Sequence, residues 1–149
     1  MNRLPIHRLL AAGAALLALA TGSPAFGEQK VLIDNHEVHY IVLPTTFLKA
    51  EIARQYGIAR SKDRALVNVS VLDPDGEPTT VQTVAGNTRN LLGQLQALRF
   101  RLVREQDAVY YLAELKHADE EHHRLEIEVA LDSGARDTIK HSQKLYWEE

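Results

Sequence analysis

From Val31 onward the apolar residues of this chain recur at every second position, the spacing that buries one face of an extended strand and leaves the other free. Val38, Tyr40 and Val42 form one such face, with His39 and Ile41 between them. Val67, Val69 and Val71 form a second, with Asn68 and Ser70 between them. That run ends at Asp73-Pro74-Asp75-Gly76, where proline presets one turn dihedral and glycine accepts a positive one. A further strand is expected from Thr79 through Val81, Thr83 and Ala85.

The second half is patterned more clearly. Leu98, Phe100 and Leu102 alternate with Arg99 and Arg101, and after a polar break Val109, Tyr111, Ala113 and Leu115 alternate with Tyr110, Leu112 and Glu114. Leu125, Ile127, Val129 and Leu131 follow a second break at His117 to His123, and a final strand runs from Ile139 to Trp147. Leu95 and Ala97 have the opposite parity to Leu98 and Phe100, which predicts a bulge near Ala97. Between Thr46 and Tyr56, by contrast, Leu48, Ile52 and Tyr56 recur every four residues. This predicts a short helix capped by Thr46 and closed by Gly57.

Seven or eight short strands and one short helix near residues 46–56 read as an all-β antiparallel sandwich of immunoglobulin-like kind; a small closed barrel is the alternative. Arg99 with Arg101, and Glu126 with Glu128, would form complementary stripes if the Val109 strand lay between theirs in one sheet.

The first 27 residues read as a secretory leader. A basic start at Arg3, His7 and Arg8 precedes twelve apolar or small residues from Leu9 to Ala20, too few for the roughly 20 of a spanning helix. Cleavage is expected after Ala25 or Gly27, giving a single domain over 28–149 in the periplasm. The leader carries two arginines and no acid, so residues 28–149 hold 15 basic and 20 acidic side chains, a net charge of −5. No footprint for nucleic acid is visible in that balance. Nothing after the leader is long and apolar enough to span a bilayer, and with no cysteine in the chain no disulfide can support the domain.

Candidate chemistry is sparse. His117, His122 and His123, with Asp119, Glu120 and Glu121, could hold a borderline metal such as zinc or copper(II), or form a solvated loop. His36 and His39 fall on opposite faces of a strand and cannot chelate together. Arg60, Ser61, Lys62 and Arg64 place three cations and a hydroxyl within five residues, enough for a carboxylate or phosphate, or for salt bridges alone. Tyr110 lies opposite Tyr111 in parity; beside Leu112 it marks either a binding patch or a surface covered by the helix near Leu48. There is no Gly-rich phosphate loop, no G-x-S-x-G elbow, no H-E-x-x-H and no cysteine nucleophile, and adjacency of Ser61 and Lys62 does not make a catalytic pair.

The stretch Tyr56-Gly57-Ile58 followed by Arg60-Ser61-Lys62-Asp63-Arg64-Ala65-Leu66-Val67-Asn68-Val69-Ser70-Val71 resembles domain-of-unknown-function family 4426, small secreted proteins of Gram-negative bacteria. His39-Tyr40, Phe47-Leu48, Asn90-Leu91-Leu92-Gly93-Gln94-Leu95 and Tyr110-Tyr111 fit the same pattern, while Asp63 stands where that pattern more often has asparagine. The resemblance implies periplasmic location and domain extent, and brings no activity, cofactor or catalytic residue. The expectation is therefore a non-catalytic binding or accessory module for a protein or small anionic ligand, with Arg60, Ser61, Lys62, Arg64, Asn90 and Tyr110 as candidate binding residues. A metal or anion carrier is the alternative.

Overall fold

Where the alternation is strict, the chain is strand. A computed structural model describes residues 27–148, so the leader reading, apart from Gly27, falls on positions outside the described residues. Among the described residues nine strands form: β1 (Gln29–Ile33), β2 (His36–Pro44), β3 (Arg64–Leu72), β4 (Thr83–Asn90), β5 (Leu95–Leu98), β6 (Arg101–Glu105), β7 (Ala108–Lys116), β8 (Glu121–Ala130) and β9 (Arg136–Leu145). They make a five-stranded sheet in the order β1-β2-β3-β7-β6 and a four-stranded sheet in the order β5-β4-β8-β9, each pairing antiparallel. Each sheet keeps two edge strands, so neither closes into a barrel. This is a sandwich.

The alternating residues meet between the sheets. Val38, Tyr40 and Val42, Val67, Val69 and Val71, and Tyr111, Ala113 and Leu115 pack from one side on Leu125, Ile127 and Val129 from the other. Burial of that apolar surface is the main force holding the layers together. The Tyr111 hydroxyl, carried into the core by its ring, accepts a hydrogen bond from the Val81 N–H at 3.0 Å.

The five-stranded sheet is apolar on its outer face too. Ile41, Leu43, Leu66, Tyr110 and Leu112 form a second cluster with Leu48, Ala53, Tyr56 and Ile58 from the connection between β2 and β3. That connection is a single 3-10 turn (Thr45–Phe47) followed by a helix, α1 (Ala50–Gln55). The expected helix is thus split. Thr46 does not cap it, and Lys49 at the N-cap supplies no side-chain bond. Gly57 does take the left-handed conformation, at φ 66°, that closes the helix.

Two expectations about the sheets are corrected. Residues 95–105 are not one bulged strand, because the chain passes from one sheet to the other between Leu98 and Arg101. Nor is the condition for the charge stripes met, since the Val109 strand does not lie between the Arg99–Arg101 and Glu126–Glu128 segments in one sheet. It belongs to the sheet opposite β8, and β4 separates β5 from β8. The supposed charge stripes are therefore apart: Arg101 donates to the Tyr56 carbonyl, while Glu126 faces Asn87 and Lys140.

Candidate functional site

The site lies at the end of the sandwich where β3 begins, β4 turns into β5, and β7 turns into β8. Asn90, the last residue of β4, organises the first turn. Its Oδ1 accepts from the Leu92 and Gln94 N–H groups at 3.1 and 2.9 Å, and its Nδ2 donates to Gln94 Oε1 at 2.7 Å. Gly93, at φ 81°, completes the reversal in the left-handed region that favours glycine. Leu91 and Leu92 are left 69% and 83% exposed at the tip.

Opposite it, β8 opens with Glu121, His122 and His123. Strand pleating sends His122 to solvent and turns Glu121 and His123 to the other face. His123 is buried, with its Nε2 2.5 Å from Glu121 Oε1 and its Nδ1 2.7 Å from the Thr88 hydroxyl. An ionised carboxylate only accepts, so Nε2 carries the proton of the first bond. Glu121 also accepts from the Ala118 N–H and from Asn90 Nδ2, both at 3.3 Å. Burial alone would raise its pKa, but the bonds from His123, Ala118 and Asn90 outweigh it and hold the carboxyl below its ordinary value.

Thr88, His123 and Glu121 stand in the hydroxyl–imidazole–carboxylate order of a hydrolytic triad. Accessibility runs the wrong way for that chemistry. Thr88 is 0% exposed and the carboxylate is the member that reaches the surface, so no substrate can meet the hydroxyl. The trio is a brace.

His117 is also buried. Its Nδ1 lies 2.8 Å from the Ala118 carbonyl, which can only accept, so the proton sits on Nδ1. Nε2 has no hydrogen-bond partner among the described residues. Trp147, just past β9, is fixed by two bonds: its backbone N–H to Asp119 Oδ1 at 2.9 Å and its indole N–H to the His117 carbonyl at 3.1 Å.

The Arg60 to Arg64 segment closes the third side. The Thr45 hydroxyl, fully buried, accepts from the Ser61 N–H at 2.9 Å and donates to the Ser61 carbonyl at 3.0 Å, pinning the segment beneath the 3-10 turn. The Ser61 hydroxyl in turn donates to Asp63 Oδ1, and that bond, with Lys116 and Arg64 nearby, keeps the Asp63 carboxyl below its usual range. The Asp63 carbonyl accepts from the His117 N–H at 2.9 Å.

Together these elements surround a cleft of about 570 Å³, lined among others by Asp63, Asn90, Gln94, Lys116, His117 and Trp147. Of the candidate binding residues, Asn90 lines it directly. Lys62 stands beside it, its Nζ 4.9 Å over the Trp147 ring. Arg60 and Arg64 diverge: one donates to the Thr46 carbonyl, and the other lies 4.0 Å from Glu114. Tyr110 is 2% exposed under the 45–58 connection, and burial, then Glu105 and Glu28, push its hydroxyl up to about 12. The covered alternative is the one the structure shows. Sequence reasoning missed Asp63, Gln94, Lys116 and Trp147 as lining residues; the coincidence of the only tryptophan with the end of the last strand was the available signal. Among the described residues, no three His, Asp or Glu side chains are grouped so as to hold a metal ion. No helix among them is long and apolar enough to cross a membrane, which says nothing of a β-barrel.

Two antiparallel sheets with a polar cleft at the rim define a β-sandwich with a candidate small-ligand site. The chain belongs to the family described as "Domain of unknown function (DUF4426)", whose model matches residues 30–148. A solved member of that family from Pseudomonas aeruginosa PAO1 is 30% identical, with a TM-score of 0.72 over 83% of this chain and 98% of that one. The fold is also similar to copper-bound and as-isolated forms of FetP from uropathogenic Escherichia coli strain F11, the first of them a variant. Identities there are 14% and 13% and TM-scores 0.61 and 0.60, over 83% of this chain and 97% of each of those. No curated protein matches the sequence significantly.

Proposed function

We propose that the protein is a non-catalytic binding module of the periplasm, exported by residues 1–27, and that the cleft is its binding site. One observation carries this reading. Segments far apart in sequence, from Asp63, Asn90–Leu95, His117–His123 and Trp147, supply polar side chains to a single concavity. Hydrogen bonds among them fix its walls before any ligand arrives, as affinity requires. Convergent polar groups of this kind do nothing for the apolar core.

The test uses the folded domain labelled with nitrogen-15 and the small-molecule fraction of a periplasmic extract. Shifts are expected at the Trp147 indole N–H and at the Gln94 and His117 amides. A spectrum unchanged throughout, or changed only far from the cleft, overturns the reading.

A metal-carrying role is the second reading, favoured by the tautomer of His117, which leaves Nε2 ready to ligate. FetP is copper-bound in one solved form, though at 14% identity that likeness speaks for the fold. Titration with zinc or copper(II) decides: a shift of the His117 ring signals with zinc, or their loss with copper(II), supports it, and an unchanged spectrum ends it.

A further inference from the structure

Given that the cleft is the binding site, the hydrogen-bonding groups still free in it narrow what it holds. Gln96 offers nothing, because its amide donates to the Lys116 carbonyl and accepts from the Lys116 N–H, both at 2.9 Å. That occupies the backbone pair an added peptide strand would use at the end of β7 that β6 leaves uncovered. Asn90 and Glu121 are engaged by the hairpin and by His123. What remains is mixed: His117 Nε2 and Asp63 Oδ2 as acceptors, the Gln94 amide N–H₂ and the Lys116 ammonium as donors.

Charge narrows it further. The Asp63 and Glu121 carboxylates face Lys116, 4.0 Å from Asp63, and Lys62 on the indole. Neither a free anion nor a free cation meets a surplus of opposite charge, and Lys62 already holds a cation–π position on Trp147. The indole itself is apolar, flat and held by two hydrogen bonds.

We infer that the cleft accepts a neutral saccharide of one or two rings, its apolar C–H face against Trp147 and its hydroxyls bridging His117, Asp63, Lys116 and Gln94. A hydroxyl is donor and acceptor at once, so one ligand group satisfies both halves of the lining. The volume lies within the roughly 300–1,000 Å³ usual for small-ligand sites.

Trp147 is the only tryptophan, so its fluorescence and its single indole N–H resonance report on the cleft alone. The intact domain is titrated into the millimolar range with glucose, maltose, N-acetylglucosamine and N,N′-diacetylchitobiose. Dialanine, sodium phosphate and zinc chloride are run in parallel. A saturable shift with at least one sugar is expected, weakened by about tenfold in Asp63→Asn and in the exposed Gln94→Ala, a loss of about one hydrogen bond in each. Circular dichroism confirms that both variants fold. Response to dialanine, phosphate or zinc without response to any sugar overturns the saccharide inference and leaves the cleft reading standing. No response to anything overturns both.

Discussion

Glu121 and His123 sit two residues apart on one strand, and their side chains meet at 2.5 Å while His122 between them points to solvent. Pleating brings alternate residues to one face, and the bond then ties the β8 start to Thr88 of β4 through the imidazole. The same carboxylate reaches Asn90, so the brace spans the cleft wall.

Glu121→Gln removes the charge and leaves the buried imidazole a weaker partner. A hydrogen bond to a charged group contributes about 1.5–3 kcal/mol, so urea denaturation at neutral pH should show a loss near 2 kcal/mol. The sign with pH follows from the lowered folded pKa. The stabilisation is complete above the unfolded carboxyl value of 4.5 and is lost as pH falls through the lower folded value. Wild type and variant should therefore converge below that range; a constant difference would show that the charge is not what Glu121 contributes.

Gly86 tests the packing of the four-stranded sheet. It pairs with Ile127 on β8 and Leu98 on β5, and a Cβ there would collide with the Glu126 carbonyl oxygen. The obstacle is backbone in a central strand pair and cannot swing aside. Gly86→Ala should cost about 2–3 kcal/mol by the overpacking mechanism, read as a lower thermal midpoint. An unchanged midpoint would mean that β4 and β8 are free to separate.

The sandwich was legible because its core needs only alternation, which one strand displays without knowing its neighbour. Val67, Val69 and Val71 announce a face wherever their strand is placed. Strand order has no such local sign, which is why the place of the Val109 strand entered only as a condition. The passage between sheets at Arg99 and Phe100 kept the parity of a continuous strand and hid the break. The cleft was half legible: Asn90 stood out within a family-like motif, whereas Asp63, Gln94, Lys116 and Trp147 meet only through tertiary folding. The cations of Arg60 and Arg64 were conspicuous for their charge, yet a charge does not say where a long side chain turns.

His39 provides a pH-dependent contact away from the cleft. Its Nδ1 lies 2.6 Å from Glu28 Oε1, and Glu37 Oε1 is 3.5 Å from its Nε2. The bond to Glu28 raises its pKa above 6.5; burial and Lys30 oppose, and the charges of Glu28 and Glu37 assist. A raised pKa stabilises fully below the unfolded value and ceases to as pH rises through the folded one. The stability difference between wild type and Glu28→Gln should be largest well below pH 6.5 and vanish at alkaline pH. A ring-proton titration with its midpoint at or below 6.5 would contradict this.

Asn90 permits a sharper test, because its two halves have separate tasks. Oδ1 accepts from the N–H groups of Leu92 and Gln94 and shapes the turn, while Nδ2 donates to Gln94 Oε1 and Glu121 Oε2 and joins the turn to β8. Asn90→Ala removes both and should cost about 2–3 kcal/mol, for a buried polar network broken at its centre. Amide exchange at Leu92 and Gln94 should accelerate markedly, since the acceptor that protected them is gone. Asn90→Asp keeps the acceptor and replaces the donor with a second carboxylate facing Glu121. Its Leu92 and Gln94 amides should stay protected, while repulsion raises the Glu121 pKa and loosens the brace to His123. If both variants exchange equally fast, the Nδ2 donor that both have lost, and not the Oδ1 acceptor, is what holds the turn. If neither does, the cleft wall on this side owes its rigidity to the β4–β5 ladder alone.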